Sequence, residues 1–170
     1  MINNRQQINA DELQVFFGLI GSGIWYLQHV EDALSTYITV KAEIKKRGGT
    51  SADNAKFLLS KHRRNTLGSS IRFAEDRHVL NPELLTMVKA FKLERDWLVH
   101  RSLHENGDDL YLDSDRYKLL ERLAKFSEDA KRLQRVIAEE LEDFVVSKGV
   151  SREWIHQKTM SDVNRDKSIE

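Results

Sequence analysis

One proline, Pro82, and eight glycines are all that interrupt 170 residues. These are the two residue types that most disfavour a helix interior, by about 3 and about 1 kcal/mol relative to alanine. A chain so poor in both is free to run as long helices. Hydrophobic residues at 40% and charged residues at 32% suit amphipathic helices around a single core, and the length favours one domain over two. The absence of cysteine excludes disulfides, thiolate zinc sites, iron–sulfur clusters and a thiol nucleophile, and it accords with a cytoplasmic home. No apolar run approaches the ~18 residues of a membrane helix, and the polar start Met1–Gln7 lacks the plan of a signal peptide. A soluble protein without membrane contact is expected.

The glycines punctuate the chain. Gly48, Gly49, Gly68, Gly107 and Gly149 fall where an apolar periodicity stops, whereas Gly18, Gly21 and Gly23 fall inside one. The first periodic segment, Asp11 to Arg47, carries Leu13, Phe16, Phe17, Ile20, Ile24, Leu27, Val30, Leu34, Tyr37, Ile38 and Ile44 on one stripe. Its small residues either admit a close neighbour or mark a kink. Trp25, Tyr26 and His29 fall on or beside this stripe and read as core. A second helix is expected from Ser51 as N-cap, and a third over Leu67 to Arg77. Asn81-Pro82-Glu83 reads as N-cap, proline at the first helical position and an acid at the positive dipole end. The fourth helix opened there fades near Leu103, and a fifth runs from Ser114 to Ser147. The expected fold is an all-α, up-and-down bundle of about five helices over residues 1–150. Residues 151–170 read as a C-terminal extension, a short helix or frayed tail.

Gly-rich phosphate loops, HExxH, GxSxG, EF-hand loops and dinucleotide fingerprints are all missing. The stretch Arg95-Asp96-Trp97-Leu98-Val99-His100, late in the fourth helix, resembles the Arg, polar residue, three residues, His signature of the HEPN superfamily of small helical proteins. The resemblance implies a HEPN-like bundle and a metal-independent endoribonuclease site. Arg95 and His100 would be catalytic, completed by the same pair of a second subunit. An imidazole can take a proton from a ribose 2′-hydroxyl or return one to the leaving 5′-oxygen, and a guanidinium can hold the phosphate. Asp96, one turn before His100, is placed to orient the imidazole. The resemblance further implies a bacterial toxin or defence role, with an antitoxin or other protein as partner. The tyrosine that the toxin branch commonly carries two residues after the histidine is Ser102 here.

With Phe91 at zero and about 100° per residue, Leu84, Met87, Val88, Arg95 and Leu98 share the core face of the fourth helix. His100 lies opposite, among Leu85, Leu93, Trp97 and Leu103, a second apolar patch to be covered by another helix of this chain or by a second subunit, the homodimer interface that the resemblance implies. An ideal helix holds Arg95 and His100 about 140° apart. One chain unites them only if the helix distorts near His100 or the arginine wraps around. Asp96, His100 and His104 step by four, a spacing that suits a metal, but a ligand set on one helix is read as coincidence. No metal or cofactor is expected.

Formal charge is zero overall, yet residues 41–72 hold nine basic side chains against two acidic ones. Lys45, Lys46, Arg47, Lys61, Arg63 and Arg64 are the candidate RNA contacts within this patch. Glu105, Asp108, Asp109, Asp113 and Asp115 form an acidic run beside the site with no base among them. The competing function is a noncatalytic helical module that binds protein or RNA.

Overall fold

A computed structural model describes residues 8–166, and among them every regular element is helical. The start Met1–Gln7 and the last residues, 167–170, lie outside the described residues. Helix α1 covers Ala10–Ile38 and continues as a π turn over Thr39–Ile44. Asn9 caps it in a reciprocal capping box: its Oδ1 accepts from the Glu12 amide at 2.9 Å, and Glu12 Oε2 accepts from the Asn9 amide at 3.1 Å. Helices α2, Ala52–Arg63, and α3, Leu67–Asp76, follow from the N-caps Ser51 and Thr66. Helix α4, Pro82–Asp96, starts at Asn81, whose Oδ1 accepts from the Leu84 amide at 2.7 Å, and it runs into a second π turn, Trp97–Arg101. A one-turn helix α5, Ser102–Asn106, and a 3₁₀ turn, Gly107–Tyr111, lead into the long α6, Asp113–Ser147. The polar α7, Arg152–Asp166, follows and is tied back by Arg152 to Glu142 and Asp143.

Contacts fix the directions. Glu12 meets Arg116, a Cβ on Gly23 would touch Phe126, and Tyr37 meets Glu140, so α1 and α6 run parallel. Phe91 stacks on Phe126 and Asn81 reaches Glu140, so α4 runs antiparallel to α6. The core between them comprises Leu27, Val30, Leu34, Tyr37 and Ile38 of α1, Leu84, Val88 and Phe91 of α4, and Leu119, Leu123, Phe126, Leu133 and Ile137 of α6. Full burial of one such aliphatic or aromatic side chain stabilises by about 1.5–3 kcal/mol. Arg116, buried at the N-terminal end of α6, gathers Glu12, Asp113 and the Leu110 carbonyl.

Three expectations change. The first helical segment ends at Ile44 instead of Arg47, because Lys45 adopts φ 63°. Trp25 is 61% exposed and His29 is exposed beside it, so only Tyr26 of that trio is partly buried against the core. Their positions on α1 turn away from α4 and α6, a direction the periodicity leaves open when the stripe is wide. Gly18 and Gly21 face open space, whereas Gly23 admits a close neighbour: a Cβ there would lie 3.2 Å from Leu98 and 3.3 Å from Phe126.

Candidate active site

The second π turn decides the geometry of the motif. In a π turn, hydrogen bonding runs from residue i to i+5, and here the Ser102 amide donates to the Trp97 carbonyl. Arg95 and His100 are five apart, so the turn that breaks α-helical register brings them onto one side. Arg95 Nη1 lies 3.0 Å from His100 Nε2. The Ser102 hydroxyl donates back to the Leu98 carbonyl at 2.8 Å, a local bond that competes with regular helix winding. Leu98, buried, occupies the space left by the missing side chain of Gly23.

A guanidinium can only donate, so Nε2 of His100 accepts and the imidazole is neutral in this contact, with its proton on Nδ1. Arg95 itself is held from three sides. Its Nη1 is 3.4 Å from Asp96 and its Nε 3.8 Å from Glu31 of α1. That Nε is buried and makes no hydrogen bond, leaving donor capacity unspent. Burial pushes the Glu31 carboxyl above its ordinary range, an effect that the charge of Arg95 partly offsets. Lys92 donates to Asp96, and this bond, with the charges of Lys92 and Arg95, holds the Asp96 carboxyl below its ordinary range.

Asp96 therefore engages Lys92 and Arg95 and does not orient His100. The extra residue of the π turn shifts His100 away from the i,i+4 position on which that expectation rested. Asp96, His100 and His104 do not converge either; among the described residues no three metal-ligating side chains gather.

Trp97 is not part of an exposed interface. It is fully buried, its Nε1 donates to Asn106 Oδ1 at 2.9 Å, and the Arg122 guanidinium of α6 lies 3.6 Å above its ring. The chain covers its own tryptophan, because α5 and α6 fold back over the π turn. Leu85 also packs against the core. Leu93 and Leu103 stay 65% and 83% exposed.

Searches of protein-family models, curated proteins and solved structures find no match.

The basic candidates are exposed but spread over two places. Arg63, paired with Asp32 at 2.6 Å, lines a polar cavity of about 140 Å³ with Gln28, Glu31, Ser35 and Asn65, adjoining Arg95 through Glu31. Lys61 and Arg64 sit at the same end of α2. Lys45, Lys46 and Arg47 lie past the first π turn, ten or more residues beyond Glu31. The acidic run finds bases outside itself: Arg101 for Glu105, Arg116 for Asp113 and Lys118 for Asp115. Glu31, Lys92 and Arg122 are site neighbours that the sequence reading missed. Lys92 stands four residues before Asp96 and was legible as an i,i+4 pair; Glu31 and Arg122 belong to other helices and leave no local signal.

Proposed function

We propose that this chain is a metal-independent endoribonuclease of HEPN type, acting as a homodimer with Arg95 and His100 of both subunits in one composite site. The observation that carries the reading is the 3.0 Å contact between Arg95 Nη1 and His100 Nε2, made across a π turn. π turns inside α-helices cost regular hydrogen bonding and occur often at functional sites. A substrate phosphate competes with His100 for the Arg95 guanidinium. Arg95 then turns to the phosphate, and Nε2 of the neutral imidazole is released as a base. It takes the 2′-hydroxyl proton, the 2′-oxygen bonds to phosphorus, and the bond from phosphorus to the 5′-oxygen breaks as the second subunit's imidazole, in its protonated form, gives that oxygen a proton. The products carry a 2′,3′-cyclic phosphate and a 5′-hydroxyl. Exposed Leu93 and Leu103 supply apolar surface for the second subunit. In the toxin or defence setting the same surface suits an antitoxin.

Cleavage of a mixed RNA in EDTA tests the proposal. Activity that survives EDTA, leaves cyclic-phosphate ends and falls by about 10²–10⁴ in both Arg95→Ala and His100→Ala supports it. A folded dimer without activity on any RNA of the mixture turns the reading to a noncatalytic binding module, which the two exposed leucines favour.

A further inference from the structure

A second cavity, of about 240 Å³, lies at the far end of α1, lined by Lys41, Ala42, Lys45, Arg77, His78 and Val79. Four of these side chains are lysine, arginine or histidine, and no carboxylate lines the space. Of the nearby acids, one acts on Lys41 from behind the Tyr37 hydroxyl and one is turned to another helix. Glu140 is bound by Tyr37 and Asn81, and Glu43 faces the buried His62 at 3.4 Å.

Two backbone outliers frame this cavity. Lys45 has φ 63° and His78 has φ 50°, and they are the non-glycine residues with positive φ among those described. His78 occupies the position after α3 at which a helix usually ends on glycine: its amide donates to Glu75 at 3.0 Å and the Val79 amide to Ala74 at 2.9 Å. Lys45 ends the first π turn, its amide donating to Val40 at 2.9 Å. Glycine stands three and four residues later, at Gly48 and Gly49, yet at Lys45 the left-handed conformation is imposed on a lysine. Strained backbone of this kind clusters where a side chain is held for a purpose. Lys41 is half-buried, with its Nζ 2.6 Å from the Tyr37 hydroxyl and 4.5 Å above that ring. Burial lowers its pKa, an effect that the charge of Glu140 only partly offsets, so a bound anion would further relieve a desolvated ammonium.

We infer that the cavity framed by Lys41, Lys45, Arg77 and His78 is a binding site for a phosphoryl group. Its volume falls short of the ~300 Å³ at which drug-sized pockets begin, which suits one phosphate and part of what carries it. Lys41 lies ten residues beyond Glu31 on α1, about 15 Å along a helix, so this site is separate from the Arg95–His100 pair. The inference stands whether or not that pair cuts RNA.

Inorganic phosphate, titrated into the full chain at constant ionic strength and followed by amide NMR shifts, provides the test. Saturating shifts at residues 41–45 and 77–79 are expected, and Lys45→Ala with Arg77→Ala is expected to weaken this binding by about tenfold for each cation removed. The charge-matched pair Lys56→Ala with Arg72→Ala, outside the cavity, is expected to leave it unchanged, as is His100→Ala. His78→Gly is expected to raise thermal stability by relieving the φ angle while weakening phosphate binding, which a purely structural histidine would not do. Shifts absent from the cavity, or equal weakening in both charge-matched pairs, would overturn the inference. A single-stranded RNA of about 8 nucleotides distinguishes the sources: displacement of phosphate assigns the site to an RNA backbone, and failure to displace it assigns the site to a free phosphorylated small molecule.

Discussion

The two π turns do opposite things with the same departure from helical register. The turn over Thr39–Ile44 sits at the end of α1, buries Thr39 and Ala42, and delivers the chain into the positive φ of Lys45. The turn over Trp97–Arg101 buries its first two residues, Trp97 and Leu98, and then lifts His100 into solvent against Arg95. Both carry a local hydroxyl bond back to a carbonyl four residues earlier, from Thr39 to Ser35 at 2.7 Å and from Ser102 to Leu98 at 2.8 Å. The difference lies in what surrounds them. Around the first, buried Tyr37 and half-buried Lys41 and Glu140 form a polar knot, so distortion there shapes the fold. Around the second, Glu31 and Asp96, the latter bound in turn by Lys92, hold one arginine and leave the histidine open, so distortion there shapes chemistry.

Deleting Arg101, an exposed residue of the second turn, is the sharpest way to break the comparison. Loss of one residue after His100 restores α-helical register and, with the pair still five residues apart, parts Arg95 from His100 by about 140° around the helix. RNA cleavage is expected to fall as far as in His100→Ala, by about 10²–10⁴, while helix content by circular dichroism stays near that of the parent. If cleavage survives the deletion, the π turn is not what assembles the pair. The corresponding lesion at the first turn, Tyr37→Phe, is expected to act on stability instead. It leaves the ammonium of Lys41 and the carboxylate of Glu140 without their shared hydroxyl, at a cost of about 1–3 kcal/mol in urea unfolding, with cleavage unchanged.

Two glycines of α1 sharpen the contrast on a smaller scale. Gly21→Ala meets nothing within 4 Å and is expected to stabilise by up to about 1 kcal/mol through helix propensity alone. Gly23→Ala presses on Leu98 of the second turn and on Phe126, and is expected to forfeit that gain and to lower cleavage as the turn shifts. Matched thermal melts and cleavage assays of the two variants separate the effects.

The smallest expected effect is on pH dependence. The Asp96 carboxyl titrates below its ordinary value of 3.8 because Lys92 and Arg95 favour its charged form. The folded state therefore binds that proton less readily than the unfolded state does. Its contribution to stability is full above the ordinary value and is lost as pH falls through the lower, folded one. Urea midpoints measured on acidification are expected to drop less steeply below about pH 4 in Lys92→Met than in the parent. Equal slopes would mean that the pair contributes nothing to the acid limb.

Much of the framework was legible in advance because helix signals are local. Asn81-Pro82, Ser51 and the stripes of α4 and α6 each depend on residues within one or two turns of themselves, and the helices start or pack where those residues say. The long reading of α1 failed at its end, since nothing within Lys45-Lys46-Arg47 announces that Lys45 takes a left-handed angle. Trp97 was misplaced for a related reason. An ideal helical wheel put it beside His100, and the extra residue of the π turn, with Arg122 arriving from α6, put it inside.

What the sequence alone determined is the all-helical character of the described chain, where helices α2, α3 and α4 begin, and the presence of an arginine and a histidine five residues apart. Low proline and glycine content, caps and 3.6-residue periodicity act through neighbours in the chain, so one sequence suffices to read them. Tertiary structure alone decided that this pair meets, that Glu31 joins it, that Asp96 turns to Lys92, and that Lys41, Lys45, Arg77 and His78 share one cavity. Each of these depends on where α1, α3, α4 and α6 press on one another. A π turn survives only where that packing, here Leu98 against Gly23, offsets the hydrogen bonding that a regular helix would have kept.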